Sequence, residues 1–259
     1  MKYKGMKSGA IVITVTLSLC LAGCGGTKVL KEPEPLVVTQ SLATASDQHL
    51  AATLDWVIVR DGPGTWARNV DWDEYLIRVQ NLSLDSIQVT NITVSDSLGT
   101  RIENRGSRKQ LVKGTKETKR RYKGEGFKVK AGASAGMMVT SAAVAGATGV
   151  AMVAAAPLTI SGGAAAVAAG GIVLLPVLAV GGVFRGVNNN RVNKEIESRQ
   201  TLLPVVLQEE EEKSLDVFFP LSPSPQQIEL NYLDSRGDHT LIIDTRTALE
   251  GLHLVPADK

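Results

Sequence analysis

An uninterrupted run of 54 residues without a charged side chain, 131–184, places the strongest constraint on how this 259-residue chain folds. The run is rich in Ala and Gly, and the sequence PLTISGG at 157–163 divides it with turn-forming Pro and paired Gly. Each arm exceeds 20 residues, which is enough for a helix to cross a bilayer core of about 30 Å. We therefore expect 131–184 to form an α-helical hairpin.

Small residues recur at four-residue spacing along both arms, and this spacing lets helix backbones approach closely inside lipid. The predicted helix-packing positions are Gly132, Gly136, Ala145, Gly149, Gly162, Ala166 and Gly170. The pattern predicts contact with a membrane or assembly into a homo-oligomer. A helical core buried between soluble subunits is the alternative, because Ala and Gly contribute little insertion energy and Pro176 would kink the second arm.

Basic residues precede the uncharged run. Residues 101–130 hold 12 basic and 3 acidic side chains, a net charge of +9, and we expect 105–130 to form a basic flank of the hairpin. Both ends of a hairpin lie on one side of a membrane, where each cation gains about 1 kcal/mol near anionic lipid. Binding of nucleic acid through Lys119–Lys123 is the alternative, but the export signal at the N-terminus disfavours a nucleic-acid partner.

The N-terminus has the organisation of a secretory signal. Three Lys residues lie within the first seven positions, and the run from Ala10 to Gly23 carries no charge. This apolar run is too short to remain as a membrane-spanning helix. We therefore predict that residues 1–23 are a cleaved signal peptide.

The signal ends in a sequence that resembles the lipobox of bacterial lipoproteins, Leu21, Ala22, Gly23 and Cys24. The resemblance implies cleavage before Cys24 and acylation of its thiol. In enterobacterial-type lipoproteins, Asp directly after the lipidated Cys tends to retain the protein in the inner membrane, so Gly25 implies export to the outer membrane, where we expect the protein on the periplasmic face. The only other cysteine, Cys20, lies in the signal, so the mature chain can form no internal disulfide and no multi-cysteine metal site.

Two segments are expected to connect the folded parts. Residues 24–50 contain two Pro and no clear period, which predicts a lipidated tether that lets the body stand off the membrane. Residues 185–200 are expected to form a connecting helix or a linker. The combination of acyl anchor and glycine-zipper-like hairpin resembles the surface-exclusion lipoproteins of conjugative plasmids in layout, and this likeness implies no specific activity.

Short β-branched runs separated by Asn, Asp, Ser and Gly occupy 51–104 and return in 201–250. Within 86–99 the alternation changes parity, as it does at a β-bulge, and 234–238 is a hairpin connection. Neither half supplies the roughly seven strands of an immunoglobulin-type sandwich, but the two together come close. We therefore predict a mainly β fold, an immunoglobulin-like antiparallel β-sandwich interrupted by an inserted hydrophobic α-helical hairpin.

No catalytic, cofactor-binding or metal-binding constellation is evident in the sequence. The patterns HExxH, GxSxG and the P-loop do not occur. The imidazoles are widely spaced along the chain, at His49, His239 and His253. We therefore expect no enzymatic activity and no cofactor.

The sequence predicts an envelope lipoprotein with a structural or interaction role. Its expected partners are membrane lipid, a second copy of the chain or another envelope protein. A periplasmic binding module for a glycan or a protein, with recognition loops around Trp66, is one alternative, and an oligomeric pore or exclusion assembly is another. The tryptophans are expected in the core or at a corner rather than on a carbohydrate-stacking surface: Trp56, Trp66 and Trp72.

Overall fold

The computed structural model describes residues 27–33, 35–132 and 188–256. These ranges are mainly β, with several antiparallel sheets and two helices. Neither of these helices is long and apolar enough to cross a lipid bilayer. The elements are β1 (Lys28–Val29), β2 (Ala43–Ser46), β3 (Leu50–Ile58), β4 (Ala67–Arg68), β5 (Trp72–Asn81), β6 (Ile87–Ser95), β7 (Arg101–Glu103), α1 (Arg108–Gly124), β8 (Phe127–Val129), α2 (Asn188–Arg199), β9 (Val205–Leu207), β10 (Glu212–Pro220), β11 (Gln227–Asp234), β12 (Gly237–Asp244) and β13 (Leu254–Pro256).

Two large sheets form the body. The first has the hydrogen-bonded order β10-β5-β3-β2, and the second has the order β12-β11-β6-β7, with β9 also paired to β6. Strands from the two halves of the sequence pair directly, β10 with β5 and β11 with β6. The segments 51–104 and 201–250 therefore build one body, although 131–184 separates them in the sequence.

The inner faces of the two sheets share one hydrophobic core. Alternating residues of each strand point inward, as the period of a strand requires, and Leu54, Ile92 and Leu230 are fully buried in this core. The rings of Tyr75 and Phe219 meet edge to face, with their centroids 5.1 Å apart. This aromatic pair joins one residue from each half of the sequence.

Two local predictions are confirmed in the second sheet. The register of β6 against β11 shifts between Val89 and Asn91, which leaves Thr90 as the extra residue of a bulge. This bulge accounts for the change in the alternation of apolar residues that the sequence shows within 86–99. The strands β11 and β12 are joined through the two residues Ser235 and Arg236, within the predicted hairpin connection.

The predicted tether, 24–50, contributes to the folded body wherever the structure describes it. The strand β1 pairs with β4, and β2 is the edge strand of the first sheet. Leu36 is 7% exposed and packs with Trp56 and Ile58. The prediction of a free-standing spacer is therefore wrong for residues 27–33 and 35–50, because their few apolar side chains cover part of the first sheet.

The basic flank 105–130 is a packed helix followed by β8. The helix α1 begins after Ser107, whose hydroxyl accepts a hydrogen bond from the backbone N–H of Gln110. One face of α1 is buried, at Leu111, Thr115, Thr118 and Tyr122. The helix α2 occupies most of the predicted connecting segment 185–200, and its Val192 and Ile196 pack in a smaller core with Trp66, Trp72 and Phe218.

Gly114 allows α1 to approach the end of β10 closely. A Cβ at this position would lie 2.5 Å from Cγ of Pro220. We expect Gly114→Ala to lower the free energy of unfolding, because overpacking costs about 1–3 kcal/mol and outweighs the gain of roughly 1 kcal/mol from replacing Gly within a helix. Chemical unfolding of the full chain in detergent measures this difference. Gly124→Ala in the same helix is the matched control, since a Cβ there meets nothing within 4 Å; an equal response of both variants would contradict the prediction.

Candidate membrane-facing surface

The described chain begins at a buried threonine. Thr27 is 4% exposed, and its hydroxyl donates to the backbone oxygen of Asn69 at 3.3 Å. The next two residues pair with β4, Lys28 opposite Arg68 and Val29 opposite Ala67. The chain is therefore fixed to the body from Thr27 onward.

The chain reaches the uncharged segment beside the same asparagine. The backbone N–H of Lys130 donates to the oxygen of His253 at 3.1 Å, and Gly132 follows with a φ of +108°. A Cβ on Gly132 would lie 3.1 Å from the backbone oxygen of Arg60. The guanidinium of Arg60 in turn donates to Oδ1 of Asn69 at 2.7 Å. Gly132 thus lies next to the residues that hold Thr27.

The chain re-enters the body close to this point. The helix α2 starts at Asn188, and Oδ1 of Asn193 accepts from the backbone N–H of Arg108 at 3.2 Å. The Nε of Arg108 donates to the hydroxyl of Thr27 at 3.3 Å. Five residues of helix correspond to about 8 Å, so Asn188 lies within about that distance of Asn193 along the helix axis.

Three points of chain entry and exit therefore converge, at Thr27, Gly132 and Asn188. Hydrogen bonds join Thr27 to Asn69 and Arg108, Asn69 to Arg60, and Arg108 to Asn193. Gly132 lies against Arg60, and Asn188 precedes Asn193 in α2. We call these seven residues the exit corner. They lie beyond the end of β3, whereas the hairpin tip at Ser235 lies at the opposite end of the sheets, near His49.

A buried carboxylate ties α2 to the first sheet close to the exit corner. Oε2 of Glu74 accepts a hydrogen bond from Nε1 of Trp66 at 2.6 Å, and Nη1 of Arg199 lies 3.7 Å from Oε1. The guanidinium of Arg199 also lies 5.1 Å from the centroid of the Trp66 ring. Burial raises the pKa of Glu74 to about 7, and the nearby Arg199 opposes this shift only in part. The protonation of Glu74 therefore affects how firmly α2 is held.

One face of α1 presents an unbroken row of cations. Five exposed basic residues follow one another at spacings of four and three, which places them on a single helix face: Lys109, Lys113, Lys116, Arg120 and Lys123. We call this row the α1 stripe. It lies about 150° around the helix axis from the buried face of Leu111 and Thr115, so it points away from the body.

Few acidic side chains neutralise the α1 stripe. Lys113 lies 3.9 Å from the carboxylate of Glu117, and among the described residues the other four stripe cations form no ion pair. The basic residues that are bound to the body lie on other faces of the helix: Lys119 pairs with Asp71 and Arg121 with Asp96. The stripe is therefore a solvated cationic surface that begins beside Arg108 at the exit corner.

Most of the predicted site residues lie outside the described ranges. These are the lipobox residues Leu21, Ala22, Gly23 and Cys24 and the helix-packing positions Gly136, Ala145, Gly149, Gly162, Ala166 and Gly170. Gly132 is described, and it departs from the expectation. Its φ of +108° is not helical, so the first predicted packing position lies in a turn against Arg60 rather than in a helix.

The fold brings together two imidazoles that the sequence separates. His49 and His239 face each other with ring centroids 5.4 Å apart. Asp234 lies between them, 3.0 Å from Nε2 of His239 and 3.7 Å from Nδ1 of His49. No local pattern signals this cluster, which depends on the turn before β3 meeting the β11–β12 hairpin. Across the residues in view, no group of three or more His, Cys, Asp or Glu side chains is arranged to hold a metal ion.

The tryptophans are core residues, as predicted. Trp56, Trp66 and Trp72 are each at most 4% exposed. The indole of Trp66 is enclosed by Phe218 and Arg199. A glycan cannot stack on a ring in this position, so Trp66 itself offers no stacking surface for carbohydrate.

Comparison with known proteins assigns no family to the chain. No family model matches it, and no curated protein matches its sequence. A crystal structure of a candidate lipoprotein, YcdA of Bacillus subtilis, aligns at 10% sequence identity with a TM-score of 0.30. The alignment covers 80% of this chain and 39% of that one, so the chain spans about two fifths of the length of YcdA. The similarity is too distant to carry a conclusion about this protein.

Proposed function

We propose that this protein is an envelope lipoprotein with a structural or interaction role, held to a membrane by acylated Cys24 and by the uncharged segment 131–184. The proposal rests on the convergence of the chain's exit points at the exit corner. Thr27 follows Cys24 by three residues, while Gly132 and Asn188 flank the uncharged segment. Both proposed attachments therefore leave the body at one corner, as simultaneous contact with one membrane requires.

The α1 stripe supports the same orientation. Its five cations point into solvent from a helix that begins at the exit corner. Anionic headgroups attract such residues by about 1 kcal/mol each near the membrane surface. Together with Gly25, which favours export to the outer membrane, this supports a body that rests on the periplasmic face of that membrane.

We infer further that the body is an immunoglobulin-like sandwich into which a helical hairpin is inserted. The orders β3-β5-β10 and β7-β6-β11-β12 correspond to the A-B-E and C′-C-F-G sheets of that fold. The insertion then falls between strands C′ and E. No catalytic step is part of the proposal.

A depth measurement tests the orientation. The label is bimane on Arg68→Cys, which is exposed on β4 beside the exit corner, and the matched control is Arg236→Cys, exposed at the β11–β12 hairpin tip. The mature chain has no other free thiol once Cys24 is acylated. In vesicles that contain doxyl-labelled lipid, we expect several-fold stronger quenching at position 68 than at position 236. Equal quenching at both positions would reject the proposed orientation.

Two further experiments test acylation at Cys24 and insertion of 131–184 separately. Radioactive fatty acid is expected to label the wild-type protein and not Cys24→Ser, and label on the variant would reject acylation at Cys24. Exchange of the lipobox signal for a conventionally cleaved one removes the acyl anchor alone. If 131–184 enters lipid, this protein stays in the membrane fraction after a carbonate wash; release as a soluble oligomer would assign the segment to a protein core instead.

A further inference from the structure

A cleft of about 400 Å³ lies along the pair of short strands β1 and β4, where the described chain begins. Its volume falls within the roughly 300–1,000 Å³ of ligand-binding pockets. Its walls carry three cations and one carboxylate, and we call these four residues the β1 cleft: Lys28, Lys31, Arg68 and Glu32. The proposed attachments at Cys24 and 131–184 use none of these side chains.

The pairing of the two strands places two of the cations directly opposite each other. Lys28 is the register partner of Arg68, and Val29 is the partner of Ala67. Directly opposite residues of an antiparallel pair project from the same face, with their Cβ atoms about 4.5–5.5 Å apart. Ala67 is buried and Val29 is half-buried in the smaller core with Trp66. Lys28 and Arg68 therefore project together from the opposite, solvent-exposed face.

No acidic side chain balances these charges. Within the described ranges, Lys28, Lys31 and Arg68 form neither an ion pair nor a side-chain hydrogen bond. Glu32, the carboxylate of the cleft wall, forms no ion pair with any of the three. Three unpaired cations against one carboxylate leave an excess of two positive charges in the cleft.

This arrangement is unfavourable for the two strands themselves. Like charges that face each other directly across an antiparallel pair destabilise it. The strands β1 and β4 have two residues each, so few backbone hydrogen bonds offset the repulsion between Lys28 and Arg68. An anion between the two side chains converts this repulsion into attraction on both sides. The repulsion is thus an indication, independent of the shape of the cleft, that an anion completes the site.

The position of the cleft in the chain selects the kind of anion. Lys28 follows Cys24 by four residues, which span at most about 14 Å. An acyl anchor on Cys24 enters the bilayer core, and the polar headgroup layer extends roughly 5–8 Å above that core. The cleft is therefore within reach of the headgroups, whose anion is phosphate. Arg binds phosphate oxygens through two parallel N–H groups, and Lys binds them as a point charge.

We propose that the β1 cleft binds the phosphate of an anionic phospholipid headgroup. This inference rests on the proposed function, because the membrane attachment brings the lipid to the cleft. The guanidinium of Arg68 and the ammonium of Lys28 hold the phosphate from the two opposite strands, and Lys31 adds a third positive charge. A phosphatidylcholine headgroup carries its own cation, which these side chains repel, so it binds less tightly than phosphatidylglycerol.

Native mass spectrometry tests this selectivity on the full acylated chain in a non-ionic detergent, with phosphatidylglycerol and phosphatidylcholine added in equal amounts. We expect the wild-type protein to retain several-fold more phosphatidylglycerol. Lys28→Glu places a carboxylate opposite Arg68 and occupies its guanidinium internally. This variant should bind the two lipids about equally and, since the repulsion is removed, should unfold at a higher Tm in lipid-free detergent. An unchanged excess of phosphatidylglycerol on Lys28→Glu would overturn the proposal.

Matched variants separate the cleft from the overall charge. Lys116→Glu makes the same change of charge on the α1 stripe and should keep most of the excess of phosphatidylglycerol. Lys28→Arg keeps the cation opposite Arg68 and should behave as the wild-type protein. Equal losses in Lys28→Glu and Lys116→Glu would mean that the lipid responds to net charge alone, and would overturn the β1 cleft as the site.

A soluble anion and the membrane attachment are tested separately. Millimolar inorganic phosphate should leave the excess of bound phosphatidylglycerol unchanged, and its displacement would assign the cleft to free phosphate and overturn the lipid. Lys28→Glu should stay in the membrane fraction after a carbonate wash, because Cys24 and 131–184 are intact. Release of the wild-type chain in that wash would count against the proposed function, while lipid selectivity in detergent would still decide for or against the cleft.

Discussion

Between pH 4.5 and about 7, the free energy of unfolding is expected to fall by about 3 kcal/mol through the titration of Glu74 alone. Burial raises the pKa of this carboxyl from 4.5 to about 7 in the folded protein. Over this window the folded state holds a proton that the unfolded chain has released. The stabilisation is therefore fully present below pH 4.5 and is lost as the pH rises through about 7.

The variant Glu74→Gln isolates this effect. Glutamine keeps an acceptor for the indole N–H of Trp66 and does not titrate. The unfolding free energy of the variant, relative to the wild-type chain, is expected to increase by about 3 kcal/mol from pH 4.5 to pH 8, as followed by tryptophan fluorescence. Glu212→Gln, an exposed carboxylate on β10, is the control and should show little change. A difference that stays flat with pH would mean that the pKa of Glu74 is the same in the folded and the unfolded chain, and would contradict the prediction.

The substitution Phe219→Ala is expected to lower the free energy of unfolding by about 3–5 kcal/mol. Phe219 is fully buried, and its ring packs edge to face on Tyr75 from the other half of the sequence. Because the two sheets share one core, unfolding should remain a single transition that moves to lower denaturant concentration. Chemical denaturation of the full chain measures both the shift and the number of transitions.

The control for this substitution is Leu84→Ala. Leu84 is 83% exposed in the turn between β5 and β6, so its removal should change stability by no more than about 0.5 kcal/mol. Two separated transitions in Phe219→Ala would contradict a shared core. They would mean that the strands before and after 131–184 unfold as independent units.

The strands with a strong period of two were the easiest part of the fold to predict. In β5 the alternation of Tyr75, Ile77 and Val79 is a local signal of one buried face. The strand β2 gave no such signal, since its sequence is Ala-Thr-Ala-Ser and its extended state depends on pairing with β3. The tether prediction failed for this reason: the segment is ordered by tertiary contacts rather than by its own pattern.

The exit corner was harder to predict than the strands. Its hydrogen bonds join Thr27, Asn69 and Arg108, which are far apart in the sequence and carry no shared motif. A partial signal existed for the buried Glu74: its neighbours on the second face of β5, Trp72 and Leu76, are apolar, as expected when both faces are covered. The helix that covers this face, α2, follows the uncharged segment, so its position depended on the complete topology.

The fixation of Thr27 sets how far the body can stand from its lipid. Only Gly25 and Gly26 separate Thr27 from the proposed acyl attachment at Cys24, and three residues of extended chain reach about 10 Å. The strand β3 then carries the structure about 30 Å away from the exit corner, toward His49 and Asp234. If Cys24 is acylated as proposed, the far end is held at a limited height above the bilayer. Under the same proposal, a partner that binds there would meet it within one thin layer parallel to the membrane, rather than throughout the compartment.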